Sequence, residues 1–135
     1  MTTVAWSHQT EIRVRGYELD SYRHVNHSVY LSYLEHARWV FLAEKGLSLA
    51  KLDEMKRWPV VVRAEIDYKK PALIDEVLVI RTRIPRFGNS SFDIEHEITH
   101  NNNLVARAKI TAAIIDEAGR AKRVPEEFRR LSPTV

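Results

Sequence analysis

There is no cysteine among the 135 residues. That absence removes a disulfide scaffold, a thiolate nucleophile, thiolate-ligated zinc or iron–sulfur centres and every CxxC redox role. Glycine and proline are sparse, at four and five, which leaves no room for a low-complexity or linker-rich chain. No window approaches the roughly 18 consecutive apolar residues of a membrane span. Met1 to Thr10 lacks the cationic start and apolar run of a secretory signal. The expectation is one domain over residues 1–135, cytoplasmic and without a membrane partner. Excess charge of one sign is missing too. The 21 basic and 18 acidic residues give a net charge of only +3. The basic residues are scattered and not interleaved with aromatics, which argues against a nucleic-acid partner and suits a phosphorylated small molecule at least as well.

What is present is a change of period along the chain. Thr10 to Val14 alternates as a half-buried strand, and Gly16 shifts the apolar phase to Tyr17 and Leu19, which predicts a bulge. After a polar turn, Val29, Tyr30, Tyr33, Leu34, Ala37, Val40 and Phe41 recur at three- and four-residue spacing as far as Gly46, a helix with a glycine stop. Leu31, Trp39 and Leu42 lie off that stripe, so the helix is apolar almost all round and is expected to be buried on most sides. A short helix is expected over Leu49 to Met55. Four two-residue-period runs follow, with Val60, Val62, Ala64, Ile66 and Tyr68 sharing the first face. The others are Val77 to Ile84 (closed by Pro85), Phe92 to Ile98 and Leu104 to Ile114. Arg86–Asn89 and Asn101–Asn103 are of hairpin length. Pro125 to Leu131 reads as a closing helical turn. The sum is an α+β fold, a five-stranded antiparallel sheet wrapped around one long helix. Its bare sheet edges invite a second copy, so at least a homodimer is expected.

His96-Glu97-Ile98-Thr99-His100 matches HExxH, a zinc signature that requires a helix. The segment alternates as a strand, where residues four apart are separated by roughly 13 Å. Two imidazoles cannot share one ion across that gap. His24 and His27 are closer but have no third ligand near them, so no metal is expected.

The segment Glu18 to His27 carries the chemistry. A carboxylate, Asp20, leaves the strand and a polar turn runs straight into the helix. Asn26 is the expected N-cap, leaving the N–H groups of His27 to Val29 without helical partners at the positive end of the helix dipole. Such donors stabilise the negative charge that develops on a carbonyl oxygen. Taken singly these residues have ordinary roles as well: Asp20 as a turn former, Asn26 as a cap, Tyr30 and Tyr33 as core aromatics, Glu35 and Arg38 as a surface pair. A capping box, Ser32-x-x-Glu35, would start the helix later and discard Val29 and Tyr30.

Together, Glu18-x-Asp20-x-x-x-His24-Val25-Asn26-His27-x-x-Tyr30-x-x-Tyr33-x-Glu35-x-Ala37-Arg38 resembles the signature of hotdog-fold acyl-coenzyme A thioesterases of the 4-hydroxybenzoyl type. The similarity continues through Asp67-Tyr68-x-x-Pro71, Asp75, Gly88 to Phe92 and Leu104-Val105-Ala106. The resemblance implies that Asp20 is the catalytic carboxylate, as general base or nucleophile, and that the His27 backbone N–H polarises the thioester carbonyl. It implies a site between subunits of a homodimer or dimer of dimers, no cofactor, and an acyl-coenzyme A substrate. Asn26, Tyr30 and Tyr33 are the substrate-binding candidates at the helix. Arg86, Asn89 and Ser90 are those for the coenzyme A phosphates. Where the family often has Asp, this chain has Glu18. Arg23 stands where Gly is usual, and His27 where Asn is frequent. Arg23 either attracts an anionic substrate or obstructs the pocket. A thioester expels a thiolate, whose conjugate acid has a pKa of roughly 8.5, so no strong acid is needed and one carboxylate with oxyanion donors suffices. Three other readings remain: an acyl carrier protein as donor of the acyl group, a hydratase using His24, and a non-catalytic acyl-coenzyme A binder.

Overall fold

A computed structural model describes residues 4–132. In chain order the elements are β1 (His8–Arg13), a 3-10 turn (Gly16–Glu18), α1 (Val29–Glu44), α2 (Leu49–Met55) and β2 (Trp58–Tyr68). There follow β3 (Val77–Phe87), β4 (Ser91–His100), β5 (Asn103–Ile115) and α3 (Glu126–Arg129). The five strands form one sheet in the order β1-β3-β4-β5-β2, every neighbouring pair antiparallel. The sheet curls around α1, as the periodicities require.

Local chemistry sets the boundaries. Gly46 takes φ 82° just beyond α1, and the Leu47 N–H reaches back to the Leu42 carbonyl at 2.7 Å, the glycine stop of a Schellman motif. The β4–β5 hairpin turns on Asn101 and Asn102, both with positive φ (49° and 66°), as a two-residue type I′ loop demands. Ser48 caps α2 by accepting from the Lys51 N–H at 3.3 Å. Among the described residues no helix is long and apolar enough to cross a membrane.

Four local expectations are corrected. Gly16 opens a 3-10 turn and not a bulge. Pro85 does not end β3; it sits where the β3–β4 register shifts between Arg83 and Arg86, a place where no ladder N–H is needed. In β2 a register shift between Val61 and Arg63 throws the alternation out by one. Val61, opposite the buried Ala112, therefore shares the inner face with Ala64, Ile66 and Tyr68, while Val62 turns outward and is 61% exposed. Finally, α1 is not buried all round. Tyr33, Leu34, Ala37 and Phe41 are in the core, whereas Leu31 is 43% exposed and Trp39 half-buried.

On the convex face, cross-strand neighbours alternate in sign, Arg81–Glu97–Arg107–Asp67 in one row and Arg83–Glu95–Lys109–Glu65 in the next. The pairs Arg83–Glu95 and Arg81–Glu97 close at 2.9 and 3.6 Å. The basic residues of the strands are thus neutralised locally and make no continuous cationic surface.

Candidate active site

The turn that carries Asp20 is held at both ends. Leu19 pairs with Val25 as an isolated antiparallel bridge, and the Asp20 N–H donates to the His24 carbonyl at 2.8 Å. The chain therefore doubles back over residues 20–24, and the helix entrance follows at once. Oδ1 of Asp20 accepts from the backbone N–H groups of Tyr22 (2.8 Å) and His24 (3.3 Å), while Oδ2 has no partner among the described residues. Arg23, in the turn, is left-handed with φ 65°, which explains why glycine suits this position. Its side chain is exposed and does not line the cavity beside α1 within one chain.

At the helix entrance the expected N-cap is corrected. α1 begins at Val29, with Ser28 in the cap position and no side-chain cap bond. Asn26 acts one step earlier: its Oδ1 accepts from the Ser28 N–H (3.0 Å) and Oγ (2.8 Å), and its carbonyl from the Val29 N–H (2.9 Å). Asn26 thereby shapes the entrance, and its side chain is spent on that. The later start at the Ser32 capping box is not used. The His27 N–H has no acceptor among the described residues. The carbonyl of the same residue accepts from the Tyr68 hydroxyl at 2.9 Å. Tyr68 was not singled out for the site by sequence; only its alternation phase at the end of β2, on the inner face, pointed toward the helix.

A second cluster fixes this geometry from beneath. Glu18, 6% exposed, accepts from the Arg15 N–H (2.7 Å), the Arg15 guanidinium (2.8 Å) and the Tyr33 hydroxyl (2.7 Å). Its own carbonyl accepts from the Asn26 N–H at 2.9 Å. Burial alone would push the Glu18 carboxyl up, but the hydrogen bonds from Arg15 and Tyr33 outweigh it and hold its pKa below the usual value. Burial, then the bond to Glu18, pushes the Tyr33 hydroxyl up, so it stays a donor.

Tyr30 and Tyr33 are therefore core residues. Both are buried, Tyr33 donating its hydroxyl to Glu18 and Tyr30 accepting from the Ala72 N–H at 3.3 Å, and neither lines the cavity beside α1. Arg86, Asn89 and Ser90 are not beside Asp20 within one chain. The Asp20 turn abuts the loop that leads into β3, through Val25 N–H to the Ala72 carbonyl at 2.9 Å, whereas these three stand at the far end of that strand, roughly 30 Å along it. Arg86 instead approaches Asp93 at 3.6 Å. His96 and His100 lie on β4, apart from each other. His96 is wholly buried against Thr82 and Arg38, and His100 contacts Glu76 at 3.3 Å.

Alongside α1, from its first turn onward, runs an open cavity of about 480 Å³ between the helix and the inner face of β2, β5 and β4. Leu31, Trp39, Val61, Phe92 and Ile110 line it, with Glu35 and Arg38 as charged members.

Known proteins share this arrangement. A family model described as the thioesterase-like superfamily matches residues 14–131. The long-chain acyl-CoA thioesterase FadM of Escherichia coli is 38% identical over 110 residues, 80% of this chain and 83% of that protein. The chloroplastic acyl-acyl carrier protein thioesterase ATL3 of Arabidopsis thaliana is 27% identical over 124 residues, 90% of this chain and 65% of that one. The crystal structure of a probable thioesterase from Bartonella henselae superposes with a TM-score of 0.85 at 34% identity, covering 90% of this chain and 100% of that one.

Proposed function

The chain belongs to the thioesterase-like superfamily, as a thioester hydrolase of hotdog fold, and on that premise we propose that it hydrolyses acyl-coenzyme A. The Asp20 carboxylate and the His27 N–H do the work, as in the 4-hydroxybenzoyl type. The observation that carries the reading is the doubled-back turn: it holds Asp20, whose Oδ2 has no partner among the described residues, and leads straight into a helix entrance whose His27 N–H has none among them. The thioester oxygen accepts from His27 N–H, and the positive end of α1 stabilises the charge that builds there. Acting as base, Asp20 takes a proton from water as the hydroxyl adds to the carbonyl carbon. The C–S bond then breaks, the acid departs, and the thiolate of coenzyme A takes up the proton. As a nucleophile, Asp20 would form an anhydride that water opens, with the same balance. Tyr68 and Glu18 hold the two halves of this geometry in register. FadM acts on long-chain acyl-CoA, which supports a coenzyme A thioester. ATL3 acts on acyl carrier protein thioesters, which keeps that donor as the second reading.

The active unit is a homodimer formed along β2. This strand is a sheet edge with Val61 and Val62 50% and 61% exposed, surface that a second copy would cover. Antiparallel pairing of two β2 edges brings the Trp58 end of one copy to the Tyr68 end of the other. The Trp58 end lies beside the β3–β4 turn, because Trp58 pairs with Ile115 and the Ile114 N–H donates to Ser90. Arg86, Asn89 and Ser90 of a second copy thus reach the catalytic turn, the role that one chain alone cannot give them.

Thiol release across matched acyl-coenzyme A and acyl carrier protein panels tests the reading. Asp20→Asn lowers kcat by about 10³ with melting unchanged; unaltered turnover removes Asp20 from the mechanism. An inactive Asp20→Asn chain mixed with an inactive Arg86→Ala, Asn89→Ala chain regains activity if the site is shared. No recovery argues against the shared site.

A further inference from the structure

The cavity beside α1 is mostly apolar, with Ser32, Glu35 and Arg38 as its polar lining, and Arg38 is an element that an unmodified hydrocarbon chain would not use. Arg38 lines it half-buried, and among the described residues its guanidinium makes one hydrogen bond, to His96 Nε2 at 3.2 Å. It has no carboxylate within 4.0 Å among those residues. Glu35, one turn back, acts on it only from farther off, and that carboxylate accepts from Trp39 Nε1 at 3.4 Å. The His96 ring is fully committed. Arginine can only donate, so Nε2 accepts, and Nδ1–H donates to the Thr82 hydroxyl at 3.1 Å. Burial, then the charge of Arg38, pushes the His96 pKa down to about 3, so the ring is a neutral acceptor and supplies no counter-charge. A guanidinium has five N–H donors. Those of Arg38 without a partner are not buried atoms, and Arg38 lines the cavity.

We propose that this cavity takes an acyl group bearing an oxygen acceptor, hydroxyl or carboxylate, toward its distal end, and that Arg38 is the residue that reads it. This rests on the acyl thioester reading above. Position along the helix sets the distance. From Val29 to Arg38 is nine residues, about 14 Å of α-helix, and the side chain leans back toward the helix start. The thioester carbonyl sits at that start, and the cavity begins one turn in, at Leu31 and Ser32. The acceptor is therefore several carbons from the carbonyl. A carboxylate is the stronger ligand, since its hydrogen bonds to the guanidinium are charge-assisted, whereas Glu35 acts on Arg38 only from farther off.

The test compares decanoyl-CoA, its ω-hydroxy derivative, the monothioester of decanedioic acid, and succinyl-CoA as a chain too short to reach. Wild-type protein is expected to favour the ω-carboxylate over the methyl-ended chain by about 10- to 100-fold in kcat/KM, with the ω-hydroxyl between them and no advantage for succinyl-CoA. Arg38→Met, close in length and apolar, abolishes or inverts the preference, while Arg38→Lys keeps part of it. Equal or greater turnover of decanoyl-CoA by wild-type protein overturns the inference, and does so even if Arg38→Met fails to fold. An Arg38→Met protein that dissociates the dimer while its ranking of the chains is unchanged overturns it also. Release of thiol from none of the panel defeats the hydrolase reading itself, a separate outcome.

Discussion

On the side of α1 that faces β1 and β3, Tyr33 and Phe41 are buried; on the side that faces β5 and β2, the same helix borders an open cavity. Tyr33 reaches Glu18, and Phe41 stacks on His8 with ring centroids 5.4 Å apart. Across the helix, Leu31, Trp39 and Val61 line the cavity, Trp39 half-buried and the other two exposed. A helix apolar all round therefore finds only half its burial in its own chain. The first half holds the Asp20 turn in place; the second is surface that the proposed ligand and second copy would cover.

That division is broken most directly by matched truncations. Leu34→Ala, at a core position 1% exposed that does not line the cavity, is expected to cost about 2–5 kcal/mol of unfolding free energy, read from denaturant midpoints. Leu31→Ala on the open side should stay within about 0.5 kcal/mol, yet lower kcat/KM for acyl thioesters. Comparable stability losses from both would mean that the cavity is closed in solution by this chain alone.

Tyr33→Phe sharpens the comparison at the catalytic turn. It removes the hydroxyl that donates to Glu18 and leaves a buried carboxylate short of a donor, a cost of about 1–3 kcal/mol. Because the Glu18 carbonyl holds the Asn26 N–H, kcat should fall more than KM rises. A loss of stability with kcat intact would reduce Tyr33 to a packing role.

Acidification probes the buried pair of titrating groups that separates the two sides. His96 takes its proton near pH 6.5 when unfolded but only at about 3 when folded. As pH falls from 6.5 the unfolded chain binds the extra proton, so stability declines, with a limiting slope of about 1.4 kcal/mol per pH unit. Glu18 adds a later loss. Its folded pKa is lowered from 4.5, so its contribution is present above that value and disappears as pH falls through the folded one. Thermal melts from pH 7 to 4 should show the decline, and His96→Gln should flatten its upper part.

The elements were legible in the sequence because period survives without tertiary information. The 3.6-residue stripe from Val29 and the alternation from Leu104 each named one element, and Asn101-Asn102 named a turn. What failed was phase and partnership. The register shift near Val62 depends on what β5 offers opposite, and no local pattern encodes it. Arg38 read as a surface partner of Glu35, since i,i+3 spacing is local while His96 lies 58 residues away. Asp20 and His27 were readable as a site because the turn that joins them is short. Tyr68, which steadies the same peptide from 41 residues on, was not.

The smallest effect expected is at Arg23, in the turn where the two sides of α1 meet. Its φ of 65° costs a non-glycine residue about 1–2 kcal/mol, of which glycine would give back roughly half through the greater freedom of its unfolded chain. Arg23→Gly should therefore stabilise the protein by about 0.5–1 kcal/mol. The side chain is exposed and the turn is already held by the Arg23 N–H to the Asp20 carbonyl at 3.0 Å, so kcat should not change. KM divides the remaining cases. If it too is unchanged, the arginine is tolerated strain; if it rises for coenzyme A thioesters but not for acyl-pantetheine, the guanidinium meets the nucleotide phosphates, and the strain is retained because it places a cation at the entrance of the open side.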